Sequence, residues 1–309
     1  MDNHNCEDIL FFDIAKAFDS VPHDILMMKL YKLSISNSLV SWIKDYLRNR
    51  QQRVTLGNES SSSLDIYSGV PQGSVIGPLL FLIFINDIGL HTNIKSNINI
   101  FADDSKIHGK VNSVSDIAVL EADIATLEKW SLDNCLKFNV DKCCVMHCGH
   151  NNVNHNYYIY GKILRKSVCE KDLGILVSND MKFHEHAANQ AKKANQTLSL
   201  IRRNIKYINK ETFKILYGTF VRRHLEFAVQ LWAHQDMKYC NKLESIQRRA
   251  TKLVPSLKNL KYDERLKQLN LMSTLFRRKR GDMILMYRLL SGIENKIDLN
   301  MCHTAATTV

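Results

Sequence analysis

Three carboxylates of this 309-residue chain stand where chemistry on a phosphate ester would need them: Asp13 at the end of an apolar run, and the adjacent pair Asp103 and Asp104. Two divalent ions about 3.5–4 Å apart can grip the attacking and leaving oxygens of an in-line phosphoryl transfer, and holding them takes carboxylates from separate parts of a rigid scaffold. An Asp-Asp pair alone is commonplace in solvated turns. Joined to a distant aspartate at a strand end, it becomes a moderately specific pattern. Asp8, Asp19, Asp24 and Asp87 are the other acids nearby, and capping or surface roles suit them better. Cys135, Cys143, Cys144 and Cys148 cluster near His147 and His150, but they lack the paired short-loop spacing of a structural zinc site.

The elements that must position these groups follow from periodicity and punctuation. ILFFDI over 9–14 is strand-like, helices are expected over 24–33 and 37–47, and QQRVTLG alternates as an edge strand near Arg53. Gly69, Pro71, Gly73, Gly77 and Pro78 punctuate a loop that feeds the apolar run LLFLIFI at 79–85, a buried helix far too short to span a bilayer. NINIFA and SKIHGKV flank Asp103 and Asp104 and place them at a hairpin tip. A helix over 116–134 and a strand within KFNVDKCCVMHC complete a sheet covered mainly by helices on one face, which is not a parallel doubly wound design. If the strands of Asp13 and the hairpin are neighbours, three acids meet at one sheet edge.

Beyond residue 150 the stretch to about 180 is strand- and turn-rich, and then long helices are expected over HEHAANQAKKANQTLSLIRR, over ETFKILYGTFVRRHLEFAVQLW, and over 239–252 and 272–290. Phe213, Leu216, Tyr217, Phe220, Val221, Leu225 and Ala228 keep helical spacing along one apolar stripe, and Trp130, Trp232 and Tyr217 are assigned to packing.

FFDIAKAFDSVPHDIL at 11–26, SGVPQGSVIGPLLFLIFINDI at 68–88 and FADD at 101–104 resemble, in order and spacing, the three central motifs of the reverse transcriptases of non-long-terminal-repeat retrotransposons of the jockey and chicken-repeat type. KDLGILVSNDMKFHEHAANQAKKA at 171–194, LYGTFVRRHLEFAVQLW at 216–232 and YDERLKQLNL at 262–271 extend the resemblance over nearly the whole chain. It implies an α+β fold: a right-hand polymerase palm with an antiparallel sheet and packed helices over 1–150 with partial fingers, a primer-grip-like strand region over 151–185, and a basic, mainly helical thumb and C-terminal region over 186–309.

The resemblance also implies roles. Asp13, Asp103 and Asp104 match the metal-binding carboxylates that hold two Mg²⁺ ions for transfer of deoxynucleotides to a primer 3′-hydroxyl. Phe18 matches the bulky residue that crowds the sugar 2′ position, with a buried core phenylalanine as the competing assignment, and Pro71, Gln72 and Gly73 match the loop packed near nucleotide and template; Ser74 and Gly77 serve equally as loop-to-helix cap and tight packing position on physical grounds alone. Lys142 resembles the lysine near the departing pyrophosphate, with an exposed strand lysine as the competing assignment; Leu173, Gly174 and Ile175 resemble the support of the primer end, with a plain β-turn as theirs. The implied partners are an RNA template, a DNA primer and deoxynucleoside triphosphates, with no membrane. The family's fingers precede the strand of Asp13, so most of the fingers is expected to be missing and the chain to be a truncated copy or partial gene model. Against the polymerase stands the alternative of a catalytically inactive remnant that binds RNA or DNA. A metal-dependent nuclease fits less well with Phe18 and the PQG loop.

Charge is compatible with both. Residues 1–150 carry 13 Lys and Arg against 18 Asp and Glu, and the remainder 29 against 13, so an acidic part able to house cations adjoins a basic part able to hold a polyanion. Lys192, Lys193, Arg202, Arg203, Arg222, Arg223, Arg248, Arg249 and RRKR at 277–280 are the candidate phosphate contacts. The N-terminus lacks a charged region followed by an apolar signal core, which favours reduced thiols and an intracellular location; nuclear action would fit the family's integration route.

Overall fold

In the sequence EDILFFD the apolar residues run almost without break, as suits a strand with a neighbour on each side and a core under one face. The computed structural model describes residues 6–90, 93–232 and 237–293, and in it Glu7–Asp13 is the central strand of a five-stranded sheet. The order across the sheet is Arg165–Lys166, Cys144–Cys148, Glu7–Asp13, Asp104–Lys110, Asn97–Phe101. All neighbours are antiparallel except the first pair, which is parallel.

Successive side chains of a strand point to opposite faces. Leu10 and Phe12 therefore enter one core together with Leu26 and Leu30 of helix His23–Lys32, Phe81 and Phe84 of helix Gly77–Ile85, and Leu120, Ile124 and Leu127 of helix Val114–Asp133. Burying each such side chain contributes about 1.5–3 kcal/mol. Ser113 opens the last of these helices with a capping box, its side chain accepting from Asp116 N and the Asp116 carboxylate accepting in return. Asp13 and Phe11 occupy the other face of the central strand.

Two acids given capping or surface roles from sequence instead tie the core together. Asp8 is fully buried and accepts hydrogen bonds from Tyr157 Oη (2.8 Å), Asn152 Nδ2 (2.7 Å) and the His147 ring at Nδ1 (2.7 Å). Asp87 receives the Lys29 ammonium at 2.9 Å and Trp130 Nε1 at 3.0 Å, tying helix His23–Lys32 to helix Val114–Asp133. Lys29 also lies over the Phe84 ring at 4.0 Å; burial pulls its pKa down, and Asp87 opposes that shift. These partners come from more than 40 residues away, which is why spacing within the motif did not reveal them.

The chain divides into two compact units, Met1–Glu170 and Lys171–Val309. The second is helical: His184–Asn204, Lys210–Leu216, Arg222–Glu226, Met237–Thr251, Tyr262–Leu269 and Thr274–Leu290, with shorter turns between. The single helix expected over 211–232 is instead broken by a π-helical turn at Tyr217–Val221 and by Ala228, which has φ 47°. The cause is visible in the spacing of the buried residues. Phe213, Tyr217, Val221 and Leu225 recur every four residues, and an α-helix at 3.6 per turn would rotate that stripe away from the core; the wider π turn restores it. Phe220, placed on the stripe from sequence, is 43% exposed.

Two further expectations shift at their edges. Of KFNVDKCCVMHC only Cys144–Cys148 is strand; Phe138 makes an isolated bridge to Ile14 and a turn follows it. The edge strand near Arg53 is two short pieces, Arg50–Gln52 paired with Leu64–Ile66 and Thr55–Leu56 paired with Glu59–Ser60. Among the described residues no helix is long and apolar enough to cross a membrane.

Candidate active site

Ladder register puts Asp13 directly opposite Asp104. Side chains of such a pair start about 4.5–5.5 Å apart at Cβ, and two like charges there repel. Asp103 occupies the two-residue turn of the hairpin beside Ala102, whose φ of 53° is a left-handed conformation in a residue without glycine's freedom.

The segment after helix Val114–Asp133 completes the edge. Ala15 N donates to Lys137 O at 2.9 Å and Asn139 N to Asp13 O at 2.8 Å, so this segment runs alongside the end of the central strand. A turn closed by Lys142 N to Asn139 O then brings the Lys142 ammonium to 3.2 Å from Asp13 Oδ2. Lys142 thus lies in a turn, not a strand. Asp13 Oδ2 is buried yet accepts no hydrogen bond, because the ammonium stands at ion-pair distance but outside hydrogen-bond geometry.

A buried carboxylate oxygen with an unfilled lone pair, facing a second carboxylate across a ladder, fits a divalent cation. Among the described residues no group of three or more His, Cys, Asp or Glu is gathered to hold a metal ion. For Mg²⁺ that is no obstacle, since the ion is commonly held by one or two carboxylates with the remaining oxygens supplied by water and substrate phosphates. Asp13 and Asp104 meet that requirement, with Asp103 next in chain.

A second group of candidates is set by the turn that follows Asp13. Val70 N donates to Phe18 O at 2.7 Å, Gly69 N to Val21 O at 2.8 Å and Ser68 Oγ to Asp19 O at 2.9 Å, which straps the 68–72 loop onto residues 18–21. Only glycine fits at 69: its φ is 92°, and a Cβ would lie 2.7 Å from Asp19 Cα and 2.8 Å from Phe18 O. Gln72 Nε2 reaches Asp19 Oδ1 at 3.0 Å, Pro71 O accepts from Ser74 Oγ at 2.7 Å, and Ser74 Oγ accepts from Gly77 N at 2.9 Å where the helix begins. Gly73 has φ 77°. Phe18 stacks on the buried Phe81 with centroids 4.7 Å apart, which fixes its ring while leaving it partly exposed.

The cysteine cluster lies apart from this chemistry. Burial pushes the Cys143 thiol up to about 11 and the Cys144 thiol up to about 12, so both stay protonated near neutral pH and are poor ligands or nucleophiles. His147 is committed to Asp8.

In the second unit, Leu173 (φ 45°) and Gly174 (φ 88°) form the two-residue turn between strands Cys169–Asp172 and Ile175–Ser178. The basic residues divide into two kinds. Arg248 stacks over Tyr262 at 4.6 Å, Arg277 is held by Glu226 through two hydrogen bonds, and Arg278 is 4% exposed against Cys240, so much of RRKR is absorbed by packing. Arg202, Arg249, Lys252 and Lys258 instead line a cleft of 530 Å³, and Lys192, Arg203 and Lys242 an adjoining one of 770 Å³ that shares Asn195 and Ser199 with it. No carboxylate is among their described lining residues. Lys242, Lys252 and Lys258 went unselected from sequence because single lysines at wide spacing carry no signal until helices His184–Asn204 and Met237–Thr251 are side by side.

Comparison with known proteins bears on residues 1–216, which match the family model described as reverse transcriptase (RNA-dependent DNA polymerase). Over 187 residues the chain is 29% identical to an RNA-directed DNA polymerase from mobile element jockey of Drosophila melanogaster, covering 58% of this chain and 20% of that protein. Over 258 residues it is 26% identical to a probable RNA-directed DNA polymerase from transposon BS of the same species, covering 79% of this chain and 28% of that protein. The chain thus spans 20% to 28% of the length of these curated relatives. Among solved structures, a telomerase from Candida albicans in complex with a TWJ fragment of telomeric RNA aligns with a TM-score of 0.45 at 10% identity, over 86% of this chain and 51% of that one.

Proposed function

Because the chain belongs to the reverse transcriptase (RNA-dependent DNA polymerase) family, and is related to those of non-long-terminal-repeat retrotransposons, we propose that it carries out RNA-directed DNA synthesis at the edge of the sheet where Asp13 faces Asp104. That cross-strand pairing, with an Asp13 oxygen that accepts no hydrogen bond and has the Lys142 ammonium at ion-pair distance, is the observation that carries the reading. On it the first unit is a polymerase palm, and the helices from His184 onward are a thumb.

Asp13, Asp103 and Asp104 would hold two Mg²⁺ ions. Bound there, the ions supply charge neutralisation at the attacking 3′-hydroxyl and at the leaving pyrophosphate. The chain's own groups do the rest. Phe18, braced by Phe81, sets a wall against a ribose 2′-hydroxyl. Gln72 offers its amide from a loop whose glycines let backbone come close. Lys142 neutralises phosphate charge at the Asp13 end, and the Lys192 to Lys258 clefts take the phosphates of the template and primer.

The test is extension of a labelled DNA primer on an RNA template with Mg²⁺ and the four deoxynucleoside triphosphates, alongside Asp103→Ala and Asp104→Ala. Extension by the chain that vanishes in both variants is the expected result. A folded chain that binds the primer–template without extending it would instead identify a nucleic-acid-binding remnant.

Lys142 yields a separate prediction. Its ammonium shares Asp13 with any cation, so Lys142→Met is expected to tighten Mn²⁺ binding, measured by paramagnetic resonance without nucleic acid, by about two- to fivefold. The effect is small because the side chain is 66% exposed and solvent screens it. In the extension assay the same variant is expected to be slower. Unchanged Mn²⁺ affinity would dissociate Lys142 from the ion site.

A further inference from the structure

Beside Tyr67 and Ser68, which lead to the Gln72 loop, the chain has a cleft to which the catalytic site makes no claim. It has two joined parts, of 280 and 550 Å³, which share His23, Leu47, Arg48 and Tyr67. These volumes reach into the range of about 300–1,000 Å³ usual for ligand clefts. Leu47, 2% exposed, gives it an apolar floor. Lys44 and Arg48, from the last turn and cap of helix Asn37–Leu47, line it together with Arg50 at the start of the next strand; Arg50 is held by Tyr46, donating to its carbonyl at 2.6 Å and lying 4.2 Å over its ring, which leaves Lys44 and Arg48 as the cations for a ligand.

Tyr67 is the unusual wall. Its side chain is 82% exposed, yet its hydroxyl donates to Asp65 Oδ2 at 3.2 Å, so the ring is tethered while most of its surface stays open to solvent. Two acids also line the cleft. Asp65 is engaged by Tyr67 and by Gln51 Nε2 at 2.8 Å, and Asp24 sits in the first turn of helix His23–Lys32, where the helix dipole favours a negative charge. Cations beside an open tyrosine face, over an apolar floor, are the elements of single-stranded nucleic-acid binding: phosphates to the cations and a base on the ring. A base inside a duplex cannot use that ring, because both of its faces are already stacked.

The position in the chain says which strand. Tyr67 and Ser68 run straight into Gly69–Gly73, Ser68 bridges Pro22, and the His23 ring nitrogen Nε2 lies 2.7 Å from Gly69 O. The cleft wall at Tyr67 and Ser68 is thus continuous with the Gln72 loop. We propose that this cleft holds the unpaired RNA template ahead of the point of synthesis, with one base on Tyr67 and its phosphates on Arg48 and Lys44. The proposal rests on the reading of the Pro71–Gly73 loop as the part that faces nucleotide and template.

Fluorescence anisotropy of labelled RNA–DNA hybrids with the full chain, without triphosphates, tests it by comparing a blunt hybrid with one that carries a 5′ template overhang. The overhang is expected to tighten binding about tenfold, the value of one stacked base. Tyr67→Ala should remove that gain and leave the blunt hybrid unchanged, while Tyr67→Phe keeps it. Arg48→Ala should lower the salt slope of overhang binding by about 0.7, the share of one single-strand phosphate. An overhang gain that survives in Tyr67→Ala, or no gain in the unmodified chain, overturns the proposal. Primer extension reports separately on Asp13 and Asp104: extension with a Tyr67-independent gain sinks only the cleft, and a Tyr67-dependent gain without extension sinks only the polymerase reading.

Discussion

Asp13→Asn is expected to reduce primer extension by about a thousandfold or more while amide protection along Glu7–Asp13 stays the same or rises. The substitution keeps the shape of the side chain but removes a full charge from the place where cations must be held. Metal charge at a phosphoryl transfer is worth several kcal/mol of transition-state stabilisation, and about 4 kcal/mol corresponds to a thousandfold in rate. The opposite sign for stability comes from the register. Asp13 faces Asp104 directly, so neutralising one relieves a repulsion of roughly 0.2–1 kcal/mol, against which only the exposed Lys142 ion pair is lost. Loss of activity accompanied by loss of folding would point to a structural aspartate, and retained extension would remove Asp13 from the chemistry.

At the other end of the same strand the balance reverses. Asp8→Ala is expected to cost about 3–5 kcal/mol of stability in the first unit. The methyl group leaves the Tyr157 hydroxyl and His147 Nδ1 without their acceptor inside the core, where each stranded polar group costs about 1–3 kcal/mol, and it also opens a void. Asn152 loses less, because its amide keeps Cys148 O at 3.2 Å. With two units in the chain a single melting curve mixes two transitions, so the suitable measurement is amide hydrogen exchange along Glu7–Asp13 and Cys144–Cys148 in rising urea. Unaltered protection there would show that the network is dispensable.

The contrast between these two aspartates marks how far the sequence could be read. The strand of Asp13, the helix at Gly77–Ile85 and the hairpin at Asp103 were legible because local pattern determines each: an apolar run, glycine and proline punctuation, and alternation on both sides of an acidic pair. Asp8 was not, because nothing within a few residues tells a buried acid from an exposed one; its partners lie 139 to 149 positions away. Lys142 was picked out by resemblance to a motif, yet its contact with Asp13 depends on the segment after helix Val114–Asp133 returning to the strand end. The π turn at Tyr217–Val221 was hidden because a spacing of four is also a helical spacing over any short window, and the misfit accumulates only over several turns. Basic runs misled in a similar way: RRKR looks like open charge in one dimension, whereas Glu226 and Cys240 absorb two of its arginines in three.

The five-residue interval between Asp8 and Asp13 sets which changes in length this strand can survive. Five is odd, so one acid lies under the helices and the other on the opposite face. Deleting any one residue from 9 to 12 would bring both acids to the same face: either the anchor leaves the core or the chemistry enters it. Inserting two residues would preserve the faces but carry Asp13 about 7 Å further along the strand, beyond the partner that register now gives it. Evolution of this strand is therefore open to exchange of one apolar side chain for another and closed to insertion or deletion, a constraint of parity more than of composition.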